Sequence, residues 1–308
     1  MTSDGSITGP QQPRRPFPPL PTWRLRQYHD ADFDEIARLR QEAFHSSSRE
    51  SVRFSLSVPG ATVFVAEARG TNVGTAVTLA FGQTAWIGGV VVTPAWQRRG
   101  IATALTERAL EVGQARARTV LLLALGPARR LYEGLGFVYE CTYGTWTLGG
   151  GQHEDRRLPA SQTARQQASR PSSNAFALRS CLELDHLVTG EVREPYLRRV
   201  SEITEIALTR AGPQKRRGIA AAYAARLPWG AGPIISTDPS IGARLVRETL
   251  AADPAARIEF PDANAAGTAL MSELGLKRIE DDYRMRVGPP LVGFHPEFVY
   301  RVLTPMLG

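Results

Sequence analysis

The stretch Trp86 to Leu105, WIGGVVVTPAWQRRGIATAL, constrains this chain more than any other. Val90, Val91, Val92 and Thr93 are β-formers that run into a Pro turn. The basic loop Gln97-Arg98-Arg99-Gly100-Ile101-Ala102 then opens a helix that continues from Thr103 with Ala and Leu. A strand feeding a short loop at a helix N-terminus aims several N–H groups and the positive end of the helix dipole at one spot. That arrangement suits a diphosphate. Gly100 lets the backbone come close, and Arg98 and Arg99 supply charge. The glycine spacing is neither G-x-G-x-x-G nor G-x-x-x-x-G-K-[ST], which excludes the dinucleotide and P-loop readings.

The surrounding pattern predicts a strand over 23–28, a helix over 30–44 and a short helix over 48–56. A meander of strands follows at 61–68, 72–81 and 84–93, with turns at Arg69-Gly70 and Phe81-Gly82. The cofactor helix over 100–115 leads to an apolar strand, Thr119 to Ala124. Next come the helix Ala128-Arg129-Arg130-Leu131-Tyr132-Glu133-Gly134-Leu135, the stop Gly136-Phe137 and the last strands to Leu148. On spacing alone Tyr132 is a core-facing residue of a helix that Gly136 ends.

Together the two segments resemble the GCN5-related N-acetyltransferase (GNAT) family, over residues 23 to 150. Gln97 to Ala102 matches its cofactor loop Q/R-x-x-G-x-G/A, and Ala128 to Phe137 its helix A-x-x-L-Y-x-x-x-G-F. The resemblance implies an α/β (α+β) fold of GNAT-like modules, each a mixed, mostly antiparallel twisted sheet flanked by helices. It implies acetyl-CoA as co-substrate and N-acetyl transfer as the reaction. Val90, Val91 and Val92 would line pantetheine, Gln97, Arg98, Arg99, Gly100, Ile101, Ala102 and Thr103 would hold the diphosphate, and Arg129 and Tyr132 would complete the site. In the family's mechanism the Val90 N–H polarises the thioester carbonyl and Tyr132 protonates the departing thiolate.

Two positions depart from the pattern. Where many relatives carry an acidic base on the fourth strand, this chain has Trp86, Ile87, Gly88 and Gly89, and the family's frequent Asn before the second helix is Leu125. The base is therefore elsewhere or is a water chain, with Glu140 and the acids at 30–35 nearest in sequence. Only a neutral amine attacks a thioester, and an alkyl amine of pKa about 10 is mostly protonated at neutral pH. An α-amino group near 7.7–8.0 needs less help, which favours a peptide N-terminus as acceptor. An aminosugar or antibiotic amine is the alternative acceptor. A non-catalytic acyl-CoA-binding regulatory or scaffold protein is the alternative class, against which the intact Tyr132 argues.

The +7 net charge raises the question of nucleic acid. Nearly all of it is Arg, with Lys215 and Lys277 the only lysines, and the charge is dispersed without a recognition helix or aromatic ladder. A G+C-rich bacterial genome accounts for the bias, and no nucleic-acid or membrane partner is expected. The N-terminus lacks the apolar core of a signal peptide, so the cytoplasm is the expected compartment. Cys141 and Cys181 make no disulfide framework, and the five scattered His make a metal site unexpected. The sequence does not indicate an oligomeric state.

The expected domains are a disordered Pro-rich segment over 1–22, a catalytic module over 23–149, a linker over 150–178 and a second module over 179–308. The second is a degenerate internal repeat: Leu131, Leu135 and Gly136 reappear as Leu270, Leu274 and Gly275, while Tyr132 has become Met271. Gln214 to Ala220 imitates the cofactor loop, but it lies too far before Gly275 and falls in a hairpin. The true counterpart, Gly232 to Gly242, is acidic and opens its helix at Asp238-Pro239, which favours capping over diphosphate binding. This module is expected to shape the acceptor cleft or dock a partner, ending in a strand-like segment over 298–307.

Overall fold

The computed structural model describes residues 22–44, 47–149, 175–210 and 220–302. The Pro-rich start, the linker up to residue 174 and the imitation loop up to residue 219 lie outside these; the linker's last expected residues belong to a helix that begins at Ala175.

The first half runs β1 (Trp23–Gln27), α1 (Phe33–Ala43), α2 (Arg49–Ser57), β2 (Ala61–Ala68), β3 (Thr71–Phe81), β4 (Thr84–Val92), α3 (Ile101–Arg116), β5 (Thr119–Leu125), α4 (Arg129–Gly134) and β6 (Val138–Thr147). Local chemistry sets these limits. Ser48 and Ser51 cap α2 reciprocally, side chain to backbone. Arg69 and Gly70 both have positive φ, the geometry of a tight hairpin turn between β2 and β3. The expected helix at 30–44 divides into a 3-10 turn over Asp30–Asp32 and α1 proper.

The second half runs α5 (Ala175–Thr189), α6 (Glu194–Ile203), β7 (Ile206–Arg210), β8 (Ala220–Leu227), β9 (Gly230–Ser236), α7 (Pro239–Ala252), β10 (Ile258–Pro261), α8 (Ala265–Glu273), β11 (Lys277–Val287) and β12 (Val299–Arg301). The strand-like C-terminal segment is thus only three residues of β12 within the described chain.

The two halves interlock. One eight-stranded sheet has the order β1-β2-β3-β4-β5-β11-β6-β10, and a four-stranded sheet the order β12-β9-β8-β7. β11, from the second half, lies antiparallel between β5 and β6 of the first: Asp282 faces Leu125 on one side and Tyr143 on the other. Reciprocally, β6 of the first half lies between β11 and β10 of the second. A boundary at residue 149 leaves the four-stranded sheet whole in the second half and crosses the eight-stranded one. Both α3 and α4 pack on one face of the long sheet, around Ile101, Leu105, Leu122, Tyr132 and Phe137. On the opposite face Phe54 of α2, Trp86, Leu121 and Tyr143 share one core with Cys181, Leu197 and Tyr223 of the second half. That shared core couples the halves, since each apolar side chain buried there contributes about 1.5–3 kcal/mol.

Candidate active site and its filled counterpart

The cleft of the first half begins where two strands part. β4 and β5 run parallel and pair only from Thr84–Thr119 to Trp86–Leu121, while the other edge of β5 stays paired with β11 from Val120 to Leu125. Further along β4 the ladder with β3 slips: Val77 faces Gly88, but Thr75 faces Val91, so Gly89 and Val90 together oppose Ala76. This is a β-bulge, and it frees backbone groups of β4 from the ladder at Val90. Gly89 is required there on two counts. Its φ is +59, and a Cβ would stand 2.5 Å from Nη2 of Arg40. The buried Arg40 guanidinium packs behind the bulge and donates to Ser55 Oγ at 3.1 Å; burial lowers its pKa to about 10. Sequence periodicity gave no sign of this residue, which reads as one more polar position of α1.

The loop Gln97 to Ala102 leads from the end of β4 into α3. A 3-10 turn, Pro94–Trp96, follows β4, and Gly100 caps α3 with φ +77. Arg98 also has positive φ, at 61. Left-handed residues just before a helix turn backbone N–H groups into a concave anion nest. Space beside Gly100 is open, with nothing within 4 Å of where a Cβ would be. Arg98 and Arg99 are exposed, and the Arg99 guanidinium stacks 5.1 Å from the Trp96 ring. The Gln97 side chain is otherwise engaged: its amide donates to the Val92 carbonyl at 3.0 Å and pins the loop to the end of β4. That contact gives the side chain a loop-holding role. Ile101 is buried under the helix, while Ala102 and Thr103 are half-buried at its first turn.

Tyr132 returns from α4 onto the same face, 8% exposed and edge-to-face with Phe137 at 6.0 Å. Burial raises its pKa to about 12, so the phenol is neutral at pH 7. Val90 packs against the same cluster. Arg129 is placed elsewhere: it pairs with Glu133 at 2.8 Å and stacks on Tyr139 and Tyr283, at the seam with β11. Of the suggested bases, Glu140 and Asp32 are tied up by cations, Asp34 pairs with Arg49, and Glu35 accepts from the Asn72 N–H. Both oxygens of Glu140 are held by Arg284 and Arg286, and Asp32 is bound by Arg26 and Asn72, which hold it well below the usual carboxylate range.

In the second half the equivalent cleft, between β9 and β10, is filled by the chain itself. β12 pairs with β9 through Val299–Ile235 and Arg301–Ile234. On its other side the Val302 N–H donates to the Glu259 carbonyl at 2.9 Å, and Asn264 Nδ2 donates to the Val299 carbonyl at 2.9 Å. A peptide thus lies in the gap that the first half leaves between its own strands. At the head of α7 the Asp238 carboxylate accepts from the N–H groups of Ser240 and Ile241, so an anion already sits at that helix terminus. Tyr300 covers Gly242 in the first turn, and Met271, in the place of Tyr132, is fully buried. Among the described residues no group of His, Cys, Asp and Glu is arranged to hold a metal, and no helix is long and apolar enough to cross a membrane.

Comparison with known proteins agrees with this geometry. A family model described as an acetyltransferase (GNAT) domain matches residues 59–139, and a second of the same description matches residues 181–298. The fold is similar to the crystal structure of a candidate acetyltransferase from Pyrococcus horikoshii, with a TM-score of 0.73 and 20% identity over 96% of this chain and 99% of that one. The ribosomal-protein-S18-alanine N-acetyltransferase of Escherichia coli is 22% identical over 39% of this chain and 81% of its own, with a TM-score of 0.37. Rv2747 of Mycobacterium tuberculosis, solved in complex with CoA, is 20% identical over 38% and 72%, with a TM-score of 0.34. The chain matches no curated protein by sequence. With an opened strand pair, a bulge and a helix-capping nest in one half and the same succession of strands and helices around a filled cleft in the other, the chain belongs to the GNAT acetyltransferase family as a tandem of two GNAT domains, and is an acyltransferase.

Proposed function

We propose that the chain is an acetyl-CoA-dependent N-acetyltransferase with one working site, in the first half, that acetylates a primary amine. The observation that carries this reading is the contrast between the two clefts: open between β4 and β5, filled by β12 between β9 and β10. The nest at Arg98–Gly100 suits the diphosphate, and the freed backbone at Val90 suits the pantetheine and the thioester carbonyl. Val90 N–H stabilises charge developing on that oxygen, while Tyr132 faces the departing sulfur. A phenol of pKa about 12 does not surrender its proton to a thiolate whose own pKa is about 8.5. Tyr132 therefore acts as a hydrogen-bond donor to developing thiolate charge, a narrower role than the full proton transfer implied by the family pattern.

The second half covers the face of the sheet opposite Tyr132, through the shared core of α2, α5 and α6. The acceptor approaches on that face, so the second half walls its cleft. An α-amino group of a peptide is the favoured acceptor on chemical grounds, because it is partly neutral at pH 7. The test is a thiol-release screen with acetyl-CoA against free-amino peptides, aminoglycosides and polyamines. Product carrying one acetyl group on nitrogen supports the reading, and CoA binding without turnover on any amine overturns it in favour of an acyl-CoA-binding protein.

A further inference from the structure

We propose that Asp282, on a strand supplied by the second half, is the general base that takes the proton from the acceptor amine at the first-half site. The inference rests on the acetyltransferase reading above, and it addresses that site's missing carboxylate: β4 offers Trp86, Ile87, Gly88 and Gly89 where an acid is needed.

The position follows from register. With the sulfur on the face of Tyr132, the amine comes from the opposite face, beside the end of β5. Leu125 is the last residue of β5, and Asp282 is its antiparallel partner on β11. Directly opposed residues of an antiparallel pair point to the same face with Cβ atoms about 5 Å apart. That face is the acceptor's, because Leu121 and Leu123, which alternate with it along β5, pack into the core shared with the second half. Leu125 is 37% exposed, so it opens to solvent, while Asp282 beside it is only 5% exposed.

The other carboxylates of this face are committed. Glu191 accepts from Thr84 and Trp86, and Glu140 is gripped by two arginines. Asp282 is paired with another carboxyl instead of a cation: its Oδ1 and Glu259 Oε1 are both buried and receive no N–H or hydroxyl, and a hydrogen bond joins the two side chains. Around it stand Glu280, Asp281 and Arg284 on its own strand, Tyr143 on β6, Glu259 on β10 and Arg257 just before β10, with Arg301 of β12 next to Glu259. Burial above all, and then the charge of Glu280, raise Asp282 to about 6, while a hydrogen bond from Glu259 works the other way. Glu259 is itself raised by burial and by Asp282, which favours its neutral, hydrogen-donating form. A carboxylate of pKa about 6 is ionised at pH 7 and still basic enough to act, which is the compromise that general-base catalysis favours.

In the step, one N–H bond of the ammonium breaks and its proton passes to Asp282, directly or through one water. The nitrogen lone pair then forms the C–N bond, and the C–S bond breaks as its electron pair leaves on sulfur. Asp282 returns that first proton to solvent, and the second proton, which the nitrogen sheds once the C–N bond has made it cationic, passes through solvent to the thiolate.

The test compares wild type, Asp282→Asn and Glu259→Gln by thiol release from acetyl-CoA, with two acceptors: a free-amino peptide and hydroxylamine, which is already neutral at pH 7. The expected results are a fall in kcat of about 100-fold for Asp282→Asn on the peptide, loss of the acid limb near pH 6, an unchanged KM for acetyl-CoA and a much smaller loss on hydroxylamine. Glu259→Gln retains an amide donor and should keep the limb with a shifted midpoint. Equal losses on both acceptors, or a wild-type pH profile in Asp282→Asn, overturn the assignment while leaving the acetyltransferase reading intact. A wild-type protein that binds acetyl-CoA but acetylates neither acceptor, nor any amine of the wider screen, overturns both.

Discussion

Glu191, in the turn between α5 and α6, accepts a hydrogen bond from the Trp86 indole at 2.7 Å and one from Thr84 Oγ1 at 3.0 Å, both on β4 of the other half. The carboxylate is 2% exposed, and its charge helps hold the buried guanidinium of Arg284 in the ionised state. Removing one member of such a buried network leaves the others uncompensated. Glu191→Ala should lower unfolding free energy by about 3–5 kcal/mol and Glu191→Gln by about 1–3 kcal/mol. Urea unfolding followed by Trp fluorescence measures both, and an unchanged midpoint for the alanine variant would place the coupling elsewhere.

Truncation after Arg165 separates the halves in sequence but not in structure. It removes β11, so β5 and β6 lose the strand between them. The fragment should be aggregated or molten and should not bind acetyl-CoA, whereas co-expression with the fragment from 166 onward should recover a soluble complex. A monomeric, cofactor-binding 1–165 fragment would contradict the interlocked sheet.

Acetyl-CoA should bind with a stoichiometry of one per chain by calorimetry. Gly100→Asp should abolish that binding, because it places a charge of the wrong sign at the nest and a side chain at φ +77. Arg98→Ala should weaken binding roughly 10-fold, less so at high salt. Two sites per chain would refute the filling of the second cleft.

Tyr132→Phe should reduce kcat by about 10- to 100-fold with little change in the acetyl-CoA Kd, since a donor to developing thiolate charge matters most in the transition state. Single-turnover kinetics beside equilibrium binding separates the two. An unchanged kcat would return Tyr132 to packing against Phe137.

Glu259 sets a stability dependence opposite to that of a paired carboxylate. Its folded pKa is raised, so its contribution is complete below the unfolded value of about 4.3 and is lost as pH rises toward the folded value. Asp282 adds a loss over the window from about 4 to about 6. The thermal midpoint should therefore gain from acidification between pH 7 and 5 in wild type, and Glu259→Gln should flatten that gain. Asp32, held low by Arg26, gives the reverse effect below pH 4. Identical pH profiles for wild type and Glu259→Gln would exclude Glu259 as the source.

The order of elements in the first half, the helix stop at Gly136, the capping by Asp238 and the replacement of Tyr132 by Met271 were legible because each depends on a few neighbouring residues. The nest at Gly100 was legible for the same reason. The exchange of β6 and β11 was not. Lys277–Val287 reads KRIEDDYRMRV, a charged strand whose partners are set by residues far away in sequence, and nothing in its periodicity tells β5 from β10. Arg40 and Asp282 were missed for a related reason. Each is an ordinary polar residue whose meaning comes only from what the fold puts beside it, Gly89 for one and Leu125 for the other. Arg129 and Gln97 show the converse, with residues inside a motif engaged in holding the scaffold.

The exchanged strands also fix a timetable for synthesis. When β5 leaves the ribosome its partner Asp282 is still more than a hundred residues from being made, so the open flank of β5 must wait through the synthesis of the entire second half before it can be hydrogen-bonded. Contacts of that sequence separation form late and slowly, and an unpaired strand edge is where nascent chains associate wrongly. The nascent chain should thus rely on chaperones until its last hundred residues emerge, and a stop codon anywhere before β11 should yield no functional acetyltransferase, even with every residue from Gln97 to Ala102 in place.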